Sequence, residues 1–166
     1  MILLRGGPGC GKTAVATLFA KRYGWTFVEV DATKRERHGT PEISDREDFL
    51  GSGRQARSAL DAGANVIAEE FFNWEPYVSL FLEPTGLAVK SPNVLTVTLE
   101  CEVERAVSRK APSDERLAKV VRRAHDLTAQ RYVIPGEITL HTTSENVEEI
   151  VNRMVEGLRA RGVDLN

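Results

Sequence analysis

A chain of 166 residues with 42% hydrophobic and 28% charged residues has the length of one domain and the composition of an ordinary globular protein, which excludes the disordered and fibrous classes. Its formal charge of −2 supplies no global basic field, so long nucleic acid is not an expected partner and any anion site must be built locally. The apolar runs fall far short of the roughly 18 residues that span a bilayer. The chain opens directly into a glycine loop with no room for a signal peptide, and Cys10 and Cys101 make neither a disulfide framework nor a zinc pattern, so a cytoplasmic protein is expected.

In chain order, "MILL" is a short apolar strand closed by glycines. Beyond Lys12, Val15, Leu18 and Phe19 recur at helical spacing and Gly24 offers the stop. "TFVEV" is a second strand ending at Asp31, followed by the polar loop "ATKRERHGTPEI". Ser44 and Glu47 have capping-box spacing, but Gly51 and Gly53 interrupt the helix that starts there, and "RQARSALDAG" makes only a short helix. "NVIA" is the third strand and stops at Glu69 and Glu70. Asn73 caps a helix through "WEPYVSLFLE", with Pro76 tolerated in its first turn. "NVLTVTL" is the fourth strand, followed by a short helix with Val103, Ala106 and Val107 and a second with a stripe at Leu117, Val120, Val121, Ala124 and Leu127. "EITLH" is the fifth strand, and Ser144 caps a last helix whose apolar face is Val147, Ile150, Val151, Met154 and Leu158. Strands that alternate with helices predict an α/β fold, a parallel sheet covered on both faces, with ligands at the carboxyl ends of its strands.

Gly6 to Thr13, "GGPGCGKT", fit G-x-x-x-x-G-K-[ST] in the required context of strand before and helix after. Gly6, Gly7, Pro8, Gly9 and Gly11 add little to a core; their use is to let backbone N–H groups turn inward onto a phosphate at the positive end of the following helix. Gly6, Gly7, Pro8, Gly9, Cys10, Gly11, Lys12, Thr13 and Ala14 are therefore the candidate nucleotide-binding residues, Cys10 through its backbone rather than its thiol. Lys12 reaches the β- and γ-phosphates and Thr13 offers its hydroxyl to Mg²⁺. Glu69, directly after "NVIA", is the candidate to hold a Mg²⁺-bound water opposite Thr13.

The chain resembles the small P-loop kinases related to nucleoside monophosphate kinases, shikimate and gluconate kinases and chloramphenicol phosphotransferase. The resemblance is carried by "GGPGCGKT", the acid after the second strand (Asp31), the acid after "NVIA" (Glu69) and the basic segment "ERAVSRKAPSDERLAKVVRR". It implies a three-layer α/β/α sandwich around a five-stranded parallel sheet, one domain over residues 1–166, and a short lid at about 109–116. It also implies that Asp31 orients the acceptor hydroxyl and takes its proton, and that Arg109 and Arg116, flanking the lid turn, supply cations to the transferring group.

Acceptor contacts are less marked. Arg54 and Arg57, three apart on a helix, present one cationic face either to an anionic acceptor or to solvent. Glu70 faces either the acceptor or solvent, and Lys34, Arg35, Arg37 and His38 crowd the loop after Asp31. "FFNWEPY" offers either an aromatic acceptor pocket or packing between helix and sheet; His125 and His141 read as structural. The leading expectation is an ATP- and Mg²⁺-dependent phosphotransferase acting on a hydroxyl of a small-molecule acceptor. A nucleoside, nucleotide or polynucleotide 5′-end is the alternative acceptor. A nucleotide switch or ATPase module is a third reading: "DFLG" at Asp48–Gly51 has the D-x-x-G form but follows no apolar strand, and N-K-x-D is absent from the sequence.

Overall fold

A computed structural model describes residues 1–40 and 44–165. Five parallel strands, β1 (Ile2–Gly6), β2 (Thr26–Glu29), β3 (Val66–Glu69), β4 (Leu95–Glu100) and β5 (Ile138–His141), form one sheet in the order β2-β3-β1-β4-β5. The described helices are α1 (Lys12–Tyr23), α2 (Val30–His38), α3 (Arg46–Asp61), α4 (Glu75–Leu82), α5 (Val103–Lys110), α6 (Glu115–Ala129) and α7 (Val147–Arg159). The chain steps out to β2, returns to β3 and then crosses β1 to reach β4 and β5. The strand order therefore reverses beside β1, and the loop leaving β1 opens at that switch point.

Alternation along the central strands builds two separate cores. Ile2 and Leu4 of β1, Ile67, Val97 and Leu99 meet Val15 and Phe19 of α1 and Ile150, Val151 and Met154 of α7 on one face. Leu3, Val28, Val66 and Ala68 meet Phe49 and Ala56 of α3 and Val78 and Phe81 of α4 on the other. This is the expected α/β/α sandwich. Among the described residues no helix is long and apolar enough to cross a membrane.

Several boundaries differ from expectation, each for a local reason. β2 ends at Glu29, and Asp31 lies in the first turn of α2 rather than at a strand end. An acid there is favourable, because the first turn of a helix carries its positive pole. α3 is not broken at Gly51 and Gly53 but runs unbroken to Asp61. At Gly53 a Cβ would lie 2.3 Å from the Phe81 carbonyl oxygen, so this glycine allows α3 and α4 to approach closely. Caps are displaced from the expected residues. Asp45 forms the capping box with Asp48, Asn146 forms one with Glu149, and Trp74 rather than Asn73 precedes α4.

Arg5, hidden at the end of the apolar first strand, is fully buried. Its guanidinium pairs with Glu137 and donates to Thr98 Oγ1 (3.0 Å) and to the carbonyls of Phe72 (3.3 Å) and Tyr132 (2.7 Å). It thereby ties the ends of β1 and β4 to the turn after β3 and the segment after α6. Removing Arg5 leaves the half-buried Glu137 to Arg131 and Thr98 and takes a donor from the Phe72 and Tyr132 carbonyls, at a cost of about 1–3 kcal/mol. Arg5→Met should therefore lower the urea midpoint by an amount equivalent to that range, and adding Glu137→Met should recover part of the loss. An unchanged midpoint in the single variant would show the pair to be dispensable.

Candidate active site

The loop from β1 to α1 is held by contacts that the glycines permit. Gly9 has φ +80°, and a Cβ there would meet the Ala106 backbone at 2.8 Å, so the loop lies directly against α5. Gly11 is the N-cap of α1 in the left-handed conformation and no side chain caps the helix, which leaves the first-turn N–H groups to an anion. His125, from α6, supports the loop from the other side. Its Nε2 lies 2.8 Å from the Pro8 carbonyl and so carries the proton, and its ring fills the space where a Cβ on Gly7 would stand. The sequence offers no signal for this contact between residues 117 positions apart.

Lys12 Nζ donates to the Gly7 carbonyl at 3.4 Å and stands 4.0 Å from Glu69 Oε2. Thr13 Oγ1 donates to Glu69 Oε1 at 3.1 Å. The register of β3 against β1 sets Glu69 opposite Leu4, two residues before the end of β1 at Gly6, where the loop begins. Glu69 is buried and its Oε2 has no hydrogen-bond partner. Burial pushes its pKa up, and the Lys12 charge opposes the rise.

Lys12, Thr13, Asp31, Glu69, Glu70 and Arg109 all border one cavity of about 660 Å³ at the carboxyl ends of the strands. Arg109 donates from its two terminal nitrogens to the carbonyls of Gly9 and Thr142, both at 3.1 Å, bridging α5 to the loop. Arg116 does not border the cavity; it is exposed at the start of α6, and Lys110 is the second lid cation that does. Glu70 is engaged on both oxygens, by Lys34 Nζ and by the Phe72 N–H (2.7 Å). Phe72 has φ +41°, and this strained turn divides the aromatic pair, Phe72 into the core and Phe71 into the cavity wall. Lys34 also lies 3.2 Å from Asp31 Oδ1 and 5.4 Å from the centre of the Phe49 ring. Burial alone would lower its pKa, but Glu70 and Asp31 outweigh it and hold the ammonium above its usual range.

Arg54 and Arg57 are not brought to this cavity. Arg54 pairs with Glu47, and Arg57 pairs with Asp61 and donates to the Thr85 carbonyl. α3 runs toward the amino end of β3, so Arg57 borders a separate cavity with Met1 and Asn65 at the opposite edge of the sheet.

Cys10 and Cys101, at the loop and at the end of β4, have their sulfurs 3.0 Å apart. The hydrogen bond from Cys10, helped by the nearby charges of Arg109 and Lys12, lowers the Cys101 pKa to about 7, while sharing the proton and burial push Cys10 upward. Cys101 should therefore react with iodoacetamide first, at a rate that rises through about pH 7 with its thiolate fraction, while Cys10 stays unlabelled in the native protein. Mass spectrometry of labelled peptides across pH decides it; faster labelling of Cys10 would reverse the assignment.

Comparison with known proteins agrees with this geometry. The AAA domain family (AAA_33) matches residues 1–135. A shikimate kinase of Geobacter metallireducens is 24% identical over an alignment of 180 residues, covering 96% of this chain and 92% of that protein. Two solved structures superpose on the fold at 18% identity. A shikimate kinase from Bacteroides thetaiotaomicron has a TM-score of 0.67 over 95% of this chain and 97% of its own, and a gluconokinase from Sinorhizobium meliloti has 0.66 over 96% and 91%. Since the family match takes in the glycine loop, Asp31, Glu69 and the basic segment after β4 together, the chain belongs to the AAA domain family.

Proposed function

We propose that the protein transfers the γ-phosphoryl group of Mg-ATP to a hydroxyl of a small-molecule acceptor. The observation that carries this reading is the single cavity bordered by Lys12, Thr13 and Glu69 on one side and by Asp31 on the other. A nucleotide switch has less support: Asp48 of "DFLG" is buried inside α3, bonded to Arg37 and His38, and is not free to follow a γ-phosphate.

The Thr13 hydroxyl and the Glu69 carboxylate are hard oxygen donors, and the buried, unpartnered Oε2 of Glu69 is the kind of atom a divalent cation satisfies. Thr13 and Glu69 would hold Mg²⁺, which when bound neutralises charge on the β- and γ-phosphates. The chain's own groups do the rest. The open N–H groups at the start of α1 bind phosphate oxygens. Lys12 places its ammonium on the β- and γ-phosphates, and Arg109, anchored on the Gly9 carbonyl, brings a second cation to the group in transit. Asp31 accepts a hydrogen bond from the acceptor hydroxyl, aims it in line with the departing oxygen and takes its proton as the new bond forms. Glu70, with both oxygens engaged, orients Lys34 and the turn instead of acting on the hydroxyl.

The test is Mg-ATP turnover with and without a panel of hydroxyl compounds, followed as phosphorylated acceptor and not only as ADP. A phosphorylated product from any acceptor supports the reading. ADP release at one rate whatever acceptor is present, with no phosphorylated product, would replace it with the ATPase reading.

A further inference from the structure

We infer that the acceptor side of this cavity takes a hydroxyl compound that carries no negative charge and presents an apolar or aromatic ring face. The inference rests on the phosphotransferase reading of the same site and narrows its acceptor.

The charges divide by position. Lys12, Arg109 and Lys110 come from the glycine loop and from α5, which lies against Gly9, so they belong to the phosphates. The far side of the cavity is built by α2, α3, the turn after β3 and α4, and its charged groups are Asp31, Lys34 and Glu70. That side carries two carboxylates and one ammonium. The ammonium is also committed: the Lys34 side chain is only 5% exposed and is bound between Glu70 and Asp31. An incoming carboxylate or phosphate would have to displace one of those partners and then lie beside it, and like charges a few ångströms apart repel strongly in a partly buried site.

No arginine relieves this among the described residues. Arg35 pairs with Glu29, Arg37 with Asp45 and Asp48, Arg54 with Glu47, and Arg57 lies at the other end of the sheet. Residues 41–43, Pro-Glu-Ile, contain no basic residue. α6 contributes Val120 and Ala124 to the cavity, not a cation.

The rest of the wall is aromatic, and it is layered. Lys34 lies over Phe49, Phe49 stacks on Tyr77 with ring centres 4.5 Å apart and planes 7° from parallel, and Trp74 meets Tyr77 edge-on at 5.2 Å. Phe49, Phe71 and Tyr77 line the cavity itself, Trp74 lies behind Tyr77 and is 59% exposed, and Val120, lining the cavity from α6, is 58% exposed. Apolar lining from Phe49, Phe71, Tyr77 and Val120 beside a proposed reaction centre fits a ring or other apolar body. Hydroxyl, amide or ammonium donors on that body would satisfy the half-exposed Asp31.

The experiment separates acceptor class from catalysis. Binding is read first, by the thermal shift of the full chain with a non-hydrolysable Mg-ATP analogue, adding an aryl diol amide of the phenicol type, shikimate, gluconate or a nucleoside monophosphate. Turnover is then read with Mg-ATP on the same compounds. The aryl diol should raise the melting temperature and the three anions should not, and its kcat/KM should exceed theirs by at least about 100-fold. Equal or better binding by the anions overturns the inference, as does binding by none of the four. If the binding order holds while no compound is phosphorylated, the phosphotransferase reading fails and the acceptor class stands. Glu70→Gln, which removes one of the two carboxylate charges that hold Lys34, should raise shikimate turnover about tenfold while raising the KM for the aryl diol; no change in either would count against Lys34 being held in a committed state.

Discussion

Lys12→Ala should lower kcat for phosphoryl transfer by about 10²–10³-fold, the scale seen when one preorganised group that stabilises transition-state charge is removed. The loss should be confined to chemistry and phosphate binding. Lys12 makes one long hydrogen bond, 3.4 Å to the Gly7 carbonyl, so the loop is held without it by Gly9 against α5 and by His125 against Pro8. The second consequence concerns Glu69, which loses the cation that opposes its burial and so rises further in pKa. A group whose folded pKa lies above its unfolded value contributes stability at low pH that is lost as pH rises through the folded value. The melting temperature of Lys12→Ala should therefore fall with pH above the ordinary carboxylate range more steeply than that of the parent. Adding Glu69→Gln should flatten the slope. Transfer at the parental rate in Lys12→Ala would remove the glycine loop from the mechanism altogether.

What was legible in the sequence was what local pattern encodes. The glycine loop is contiguous, so the reading of it as a phosphate cradle needs spacing alone, and Glu69 is marked by its position at the end of a short apolar run that the structure buries fully. Strand and helix alternation gave the sheet, because both faces of β1 and β3 need covering. The misses arise where direction or distance through space decides. Arg54 and Arg57 have suitable spacing for a cationic face, but the direction of α3 carries Arg57 to the wrong end of the sheet, and periodicity does not report which end that is. Lys34 reads as one of several basic residues in a polar stretch until α2 forms and turns it inward onto Glu70, 36 residues away. Gly53 reads as a helix breaker because its reason, the Phe81 carbonyl of a neighbouring helix, is tertiary. Arg5 extends an apolar strand, and its partners Thr98 and Glu137 lie 93 and 132 residues away.

Asp31→Asn should reduce kcat by about 10²–10⁴-fold, the range for loss of a positioned general base, while changing the KM for ATP by less than about twofold. The amide keeps the size of the carboxylate and still accepts from Lys34, whose stronger hold is Glu70, so the wall keeps its form. The Asp31 side chain is 40% exposed, which makes a large stability cost an unsuitable explanation for lost activity. The competing base is Glu70, and the geometry separates the two. Both oxygens of Glu70 already accept hydrogen bonds, from Lys34 and from the Phe72 N–H, so its loss should disturb the turn and the wall, and appear mainly in the KM for the acceptor. Among the described residues Asp31 has Lys34 as its ion-pair partner and borders the cavity, so its loss should appear in kcat. The pair of variants thus reads position against chemistry in one enzyme. Should Asp31→Asn keep its turnover while Glu70→Gln loses it, the proton would leave through Glu70, and Asp31 would serve only to hold Lys34 in place.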